Sequence, residues 1–296
     1  MTDSLPKTHS LPKNHRLPKT HSLPKSGHMT TGEAIVRSLR HHGVDTIFGI
    51  PGAHMYDFND AIAREDDVRF ITTRHEQGAG YMAYGYAKST GKTGVFTVVP
   101  GPGMLNASAA LCTAYGANTP VMMITGNIMS HLIGQGRGQL HELPDQLGTM
   151  RGFTGWADRI NHASEAPKMV AEGFRQMTNK RIRPTAIEAP WDVFGQSALV
   201  ELEEVNRTAE PAPKPDPGKL IAAAKMIAQA RHPMILVGAG ANEASAEVQA
   251  LAEMLQAPVT AHRSGKGILS NKHPLSLLSP EAHGYFAKCD CLIGIG

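Results

Sequence analysis

Short, continuous apolar runs alternate with amphipathic or small-residue helical stretches from Thr30 onward, and this alternation is the strongest constraint on the fold. "TIFGI", "VRFITT", "GVFTVV", "PVMMITG" and "TAIEAP" read as strands, with "VRFITT" expected to be short and buried. Between them, "TGEAIVRSLRHHG", "MYDFNDAIA", the stretch after Glu76, "ASAALCTAYG" and "APKMVAEGFRQM" read as helices. In the first of these Ala34, Ile35 and Leu39 share one side and Gly43 marks the stop. Uninterrupted apolar strands separated by helices predict an α/β, doubly wound parallel sheet covered on both faces.

Two segments break the pattern. Residues 1–29 begin with a hexad repeat, "SLPKTH", "SLPKNH", "RLPKTH", "SLPKSG", in which Leu5, Leu11, Leu17 and Leu23 each precede a proline. Proline at that frequency blocks helix and central strand, and one leucine per hexad offers too little apolar surface to offset chain entropy. The expectation is a disordered tail or leader, with Met29 as a natural beginning. "NRTAEPAPKPDPGK", with Pro211, Pro213, Pro215 and Pro217, reads as a linker within residues 196–217. The expected organisation is therefore a tail (1–29), an α/β domain (30–195), the linker, and a second, truncated Rossmann-like α/β domain (218–296) that stops at the apolar strand "CDCLIGIG".

The net charge of +3 suggests a polyanion partner until it is located. Residues 1–28 carry five Lys or Arg and one acid, while the remainder holds 24 basic and 25 acidic residues. The basic character belongs to the tail, so nucleic-acid binding is not expected of the folded part. No run of about 18 apolar residues occurs, so no membrane span is predicted. Cys112, Cys289 and Cys291 have neither disulfide-framework nor metal-ligand spacing, which points to a reducing, cytoplasmic setting.

The unusual residues of the first domain all follow strands: "GIPGAH" (49–54), "RHEQGA" (74–79), "PGPGMLN" (100–106) and "TGN" (125–127). In a parallel sheet the carboxyl ends of the strands lie on one edge, where ligands bind. Gly52, His54, Glu76, Gly101, Gly103 and Asn106 are expected to converge there. The glycines would let a flat ligand approach the backbone, and Pro51 and Pro102 would stiffen the turns. Each feature has a plainer reading. Glu76 at a helix N-terminus would gain ~0.3–1 kcal/mol from the macrodipole alone, His75 would be a satisfied side chain, and "GPG" a simple turn. Co-occurrence, in order, at matching strand ends favours a site.

These stretches, together with "NTPVMMITG", resemble the pyrimidine-binding domain of thiamine diphosphate enzymes over residues 30 to about 195. "RHPMILVGAGA", "APVTAHRSGKGILSNKHPL" and "CDCLIGIG" resemble the front half of that family's central domain. The acetolactate synthase group is the nearest in feel, with 2-oxoacid decarboxylases and benzaldehyde lyase as relatives. The resemblance implies that Glu76 hydrogen-bonds a ring nitrogen of the cofactor's aminopyrimidine. That bond favours the imino tautomer, which takes the proton from the thiazolium C2. It also implies that Pro51, Gly52, Ala53, Gly101, Pro102, Gly103 and Asn106 line the cofactor, and that the small residues after Glu76 leave room for the ring and for subunit packing. By the same resemblance His54 matches a proton-shuttling histidine of benzaldehyde lyase-like members. His141, in "QLHE", stands where many relatives carry glutamine and offers a second acid/base near neutral pH.

The family holds the diphosphate through Mg²⁺ in a third domain marked by Gly-Asp-Gly, a tripeptide absent from these 296 residues. No metal ligands are therefore expected within them, and the chain alone is expected to be inactive. The site would be completed at a subunit interface, in a homodimer or tetramer acting on a small-molecule 2-oxo acid. FAD is left open. The competing readings are a 2-oxoacid decarboxylase, a benzaldehyde lyase-like carboligase, and a non-catalytic dimerisation or regulatory module of the same fold.

Overall fold

The computed structural model describes residues 26–178, 181–203 and 214–296. The hexad repeat up to Lys25 and residues 204–213 of the linker lie outside the described residues. The chain divides between Glu210 and Pro211 into two compact units.

The first unit begins with β1 (Ser26–Thr30), α1 (Thr31–His41), β2 (Thr46–Gly49), α2 (Tyr56–Ala63), β3 (Arg69–Thr72) and α3 (Glu76–Thr90). It continues with β4 (Gly94–Val98), α4 (Pro102–Gly116), β5 (Val121–Asn127), α5 (Gln146–Arg151) and β6 (Trp156–Arg159). It closes with α6 (Ala166–Thr178), β7 (Thr185–Pro190), α7 (Trp191–Phe194) and β8 (Ser197–Glu201). Six strands form one sheet in the order β3-β2-β4-β5-β7-β6, and every neighbouring pair is parallel. Alternation of side chains places successive residues on opposite faces. Ile47, Val95 and Met122 pack with α1, α2 and α6, whereas Phe48, Phe96 and Met123 pack with α3 and α4. At roughly 1.5–3 kcal/mol for each fully buried large side chain, this two-sided core dominates the stability of the unit.

The ends of the helices are written locally. Thr30 and Glu33 form a reciprocal capping box on α1, with the Glu33 N–H donating to Thr30 Oγ1 at 3.2 Å and the Thr30 N–H to Glu33 Oε2 at 2.9 Å. His75 caps α3, its Nδ1 accepting from the Gln77 N–H at 3.1 Å, as the plainer reading of that histidine expects. The small face of α3 has a cause inside this unit. A Cβ on Gly80 would lie 2.7 Å from the Ala110 Cβ of α4, and one on Gly94 would run into the Ala83 backbone. Buried Ala79, Gly80, Ala83 and Ala87 thus seat α3 on α4 and β4.

Three expectations are corrected. Ser26–Met29 belong to the folded unit rather than to a tail that runs to residue 29. They form β1, antiparallel to β8, and Met29 is 1% exposed in the main core. The linker does not begin at residue 196, because Ser197–Glu201 are strand β8. "VRFITT" is buried only at Val68: β3 is the edge strand of the sheet, with Arg69 and Thr72 exposed and Phe70 and Ile71 half-buried.

The second unit comprises α8 (Pro217–Gln229), β9 (Pro233–Val237), α9 (Ser245–Leu255), β10 (Val259–Ala261), β11 (Ser276–Leu277), α10 (Ser279–Phe286) and β12 (Cys291–Ile295). Its four strands run parallel in the order β11-β10-β9-β12. α8 is capped by Asp216, which accepts from the Gly218 and Lys219 N–H groups. None of its residues is buried, and Leu220 and Ile221 are more than half exposed. The core of the unit gathers Ile235, Val237, Val248, Ala252 and Val259.

Candidate active site

In the first sheet the chain passes from β2 outward to β3, then returns to β4 on the other side of β2. The reversal opens a crevice at the carboxyl ends of β2 and β4, the position where open α/β sheets bind ligands. The loop after β2 carries Pro51, Gly52, Ala53 and His54, and the turn after β4 carries Gly101, Pro102 and Gly103. Val99 lies between them. A Cβ on Gly52 would stand 2.5 Å from Val99 Cγ1, and one on Gly103 would stand 2.6 Å from Val99 Cγ2. Both glycines are therefore bare because Val99 fills the space.

Glu76 is the first residue of α3, with its side chain 19% exposed. Its Oε2 accepts from Asn106 Nδ2 of α4 at 3.0 Å, and His75 Nδ1 stands 4.0 Å away. Oε1 has no hydrogen bond among the described residues. A Cβ on Gly103 would approach Glu76 Cγ to 3.7 Å. The expected trio of Glu76, Gly103 and Asn106 is thus brought together, around a half-buried carboxylate with one oxygen held and the other open. Such an oxygen suits the protonated ring nitrogen of an aminopyrimidine.

His54 and His141 form a second cluster. Their ring centroids are 5.0 Å apart, and the Trp191 ring lies 4.7 Å from His54. Both residues hold left-handed backbone angles, φ 67° and 68°, which histidine tolerates better than most side chains. Neither Nδ1 has a hydrogen-bond partner, although both atoms are buried. Burial, reinforced by the charge that His141 can carry, holds the His54 pKa below the usual histidine value, and the Ala53 carbonyl pulls the other way. The clusters adjoin through one turn: Gly101 (φ 58°) packs under the His141 backbone, while Gly103 packs beside Glu76. Pro51 and Pro102 are exposed, Pro102 stands at the start of α4, and Ala53 is half-buried.

Beneath the turn lies a polar network that the motif reading did not single out. Gln146 Oε1 accepts from the Gly101 N–H at 2.7 Å, and its Nε2 donates to the Gly126 carbonyl at 2.8 Å and to Glu188 Oε2 at 2.7 Å. Glu188, fully buried, also accepts from Arg159 Nε at 2.5 Å and Asn127 Nδ2 at 3.1 Å. An acid inside the apolar strand "TAIEAP" was the available signal, because a buried carboxylate requires partners. Among the described residues no group of three or more His, Cys, Asp or Glu side chains is placed to hold a metal ion, and no helix is long and apolar enough to cross a membrane.

Comparison with known sequences matches residues 29–149 to the family described as "Thiamine pyrophosphate enzyme, N-terminal TPP binding domain" and residues 220–296 to "Thiamine pyrophosphate enzyme, central domain". The chain belongs to the thiamine pyrophosphate enzyme family. Its relatives within that family carry more than one activity in their names. A "Probable 2-ketoarginine decarboxylase" of Pseudomonas aeruginosa is 35% identical over 272 residues, covering 90% of this chain and 48% of that protein. A "Probable acetolactate synthase large subunit" of Methanocaldococcus jannaschii is 36% identical over 283 residues, covering 90% of this chain and 47% of that protein. The "Acetolactate synthase isozyme 1 large subunit" of Escherichia coli is 35% identical over 275 residues, covering 90% and 48%. The chain spans about half the length of these relatives. The parallel α/β units described above agree with the thiamine-pyrophosphate-binding assignment, and Glu76, Gly103 and Asn106 fall within its N-terminal segment.

Proposed function

We propose that this chain is the pyrimidine-binding and central portion of a thiamine diphosphate enzyme that makes or breaks the carbon–carbon bond beside the carbonyl of a 2-oxo acid, acetolactate synthase-like in type. The observation that carries this reading is Glu76: a half-buried carboxylate at the crevice of the sheet, one oxygen tied to Asn106 and the other open beside a glycine-bared turn. The bound cofactor supplies the nucleophile and the electron sink for the reaction. The protein's part is done by named side chains. Glu76 would accept a hydrogen bond from the protonated ring nitrogen of the aminopyrimidine, which favours the imino tautomer, Asn106 fixes the rotamer of Glu76, and the Gly52–Val99–Gly103 wall orients the ring. His54 and His141 would hold and return protons at the oxygen of the reacting carbonyl. In this reading the diphosphate and its Mg²⁺ are held by residues outside those matched here, the working form is a homo-oligomer, and the three free cysteines suit a reducing, cytoplasmic compartment.

A decarboxylase is the second reading, favoured by the 2-ketoarginine decarboxylase relative and by the buried imidazole pair. Saturation-transfer NMR with thiamine diphosphate tests the core of the proposal. Transfer to the aminopyrimidine protons is expected for the wild-type chain and is expected to vanish in Glu76→Gln. Full transfer in the variant overturns the assignment of Glu76. With pyruvate as substrate, acetolactate as the product supports the synthase reading, and release of the aldehyde supports the decarboxylase.

A further inference from the structure

The turns that carry His54 and His141 are joined by one side chain. The His141 carbonyl packs against Gly101 so closely that a Cβ there would come within 2.4 Å of it, and the His54 carbonyl packs on Gly126, where a Cβ would come within 2.8 Å. Gln146 binds both glycines, accepting from the Gly101 N–H and donating to the Gly126 carbonyl. Its amide cannot be reversed, because the –NH₂ would then face the Gly101 N–H and the oxygen would face the Gly126 carbonyl and Glu188. Glu188 anchors it from below, itself held by Arg159 and Asn127. Above this clamp the two imidazoles stand 5.0 Å apart with both Nδ1 atoms unpartnered, and Trp191 closes on His54.

We propose that Gln146 is a positioning residue for a coupled histidine pair: by clamping both glycine turns it holds the His54 and His141 rings close enough that a proton on one opposes a proton on the other. The pair then offers one imidazolium and one neutral base side by side, a donor and an acceptor for the same carbonyl. The catalytic use of the pair rests on the function proposed above; the coupling itself does not. The depressed pKa of His54, caused first by burial and then by His141, agrees with it. Other ionisable groups around the pair are engaged elsewhere. Glu142 takes the Gln139 N–H, Asp145 takes the Gly148 N–H, and Asp192 takes the Ser130 N–H and O–H with His131 beside it. Glu76 is bound by Asn106, Glu188 by Arg159, Asp57 lies against Gly195, and Arg137 is exposed.

The test is an NMR titration of the full chain, labelled at histidine and free of cofactor. In the wild type His54 is expected to titrate below the usual histidine range. His141→Asn, which keeps a residue at ease in the left-handed turn, is expected to raise the His54 midpoint. Gln146→Met is expected to abolish that response, so that adding His141→Asn no longer moves His54. Met29→Ala, which removes core packing under β1, is expected to preserve it despite lost stability. If Gln146→Met does not fold, Gln146→Asn, too short to span both turns, takes its place. A His54 midpoint unmoved by His141→Asn overturns the coupling, and a response that survives at position 146 overturns the clamp. Because no cofactor is present, loss of the Glu76 assignment would leave these outcomes readable.

Discussion

Gly101→Ala places a single methyl group at the junction of the two clusters. Gly101 holds φ 58° and ψ −115° as the N-cap of α4, a combination that a residue with a Cβ adopts at a cost of about 1–3 kcal/mol. The new Cβ would also stand 2.4 Å from the His141 carbonyl oxygen and 3.0 Å from its carbonyl carbon. These are backbone atoms, so no rotamer change relieves the overlap, and overpacking of this kind costs typically ~1–3 kcal/mol. Residues 134–140 are exposed and can yield in part, so the sum, about 2–6 kcal/mol, is expected to fall in its lower half, at about 3 kcal/mol. For a unit of this size that corresponds to a fall in melting temperature of roughly 6–12 °C. Gly103→Ala is the comparison. Its Cβ meets a side-chain methyl of Val99 rather than backbone atoms, and its own backbone is helical, so the cost is expected to be smaller. Urea unfolding of wild type and both variants, followed by near-UV signals of the first unit, reads the difference. A Gly101→Ala chain within about 0.5 kcal/mol of wild type would refute the account of the turn, since surface changes of no consequence fall in that range.

Three further outcomes follow from the same geometry. Glu188→Gln leaves Arg159 without its counter-charge in a partly buried site and is expected to cost about 2–4 kcal/mol, measured by the same unfolding assay. Met29→Ala removes a side chain 1% exposed in the main core and is expected to cost about 2–5 kcal/mol; a smaller effect would return residues 26–29 to the tail. His54 is held below its unfolded pKa, so the unfolded chain binds the proton more readily and acid favours unfolding. The stability associated with neutral His54 is therefore full above about pH 6.5, the unfolded value, and is lost as pH falls toward the folded value. His54→Asn should flatten that slope in unfolding measured between pH 7.5 and 5, above the range in which the depressed carboxylates Asp45 and Asp192 protonate.

The layered architecture was legible because each element announces itself over its own length. "GVFTVV" and "PVMMITG" are largely apolar, as strands buried on both faces usually are. Thr30 and Glu33 write the start of α1 within four residues. Glu76 and Asn106 were legible because each follows a strand and carries an uncommon group. β1 and β8 were not, since "SGHMT" holds no apolar run or alternation and "SALVE" only three apolar residues, and the two pair with each other as strands. The edge position of β3 was hidden for a similar reason: an apolar run does not say which of its faces a neighbour will cover. The Gln146 clamp draws on the ends of β4, β5, β6 and β7, and no local window contains it. The meeting of His54 with His141 needed both glycine platforms in place. Each histidine was visible as a candidate, but their distance was not.

The left-handed backbone at residues 54 and 141 narrows the mutational routes open to this pocket. A substitution there is judged by conformation before it is judged by chemistry. Glycine, asparagine and aspartate enter at little cost, while valine, isoleucine and threonine must first disturb the turn. A randomised library at the two positions should therefore be dominated, among folded clones, by those few residue types. New proton chemistry in this pocket would be reached more easily by changing Trp191 or the residues around the rings than by changing the histidines themselves.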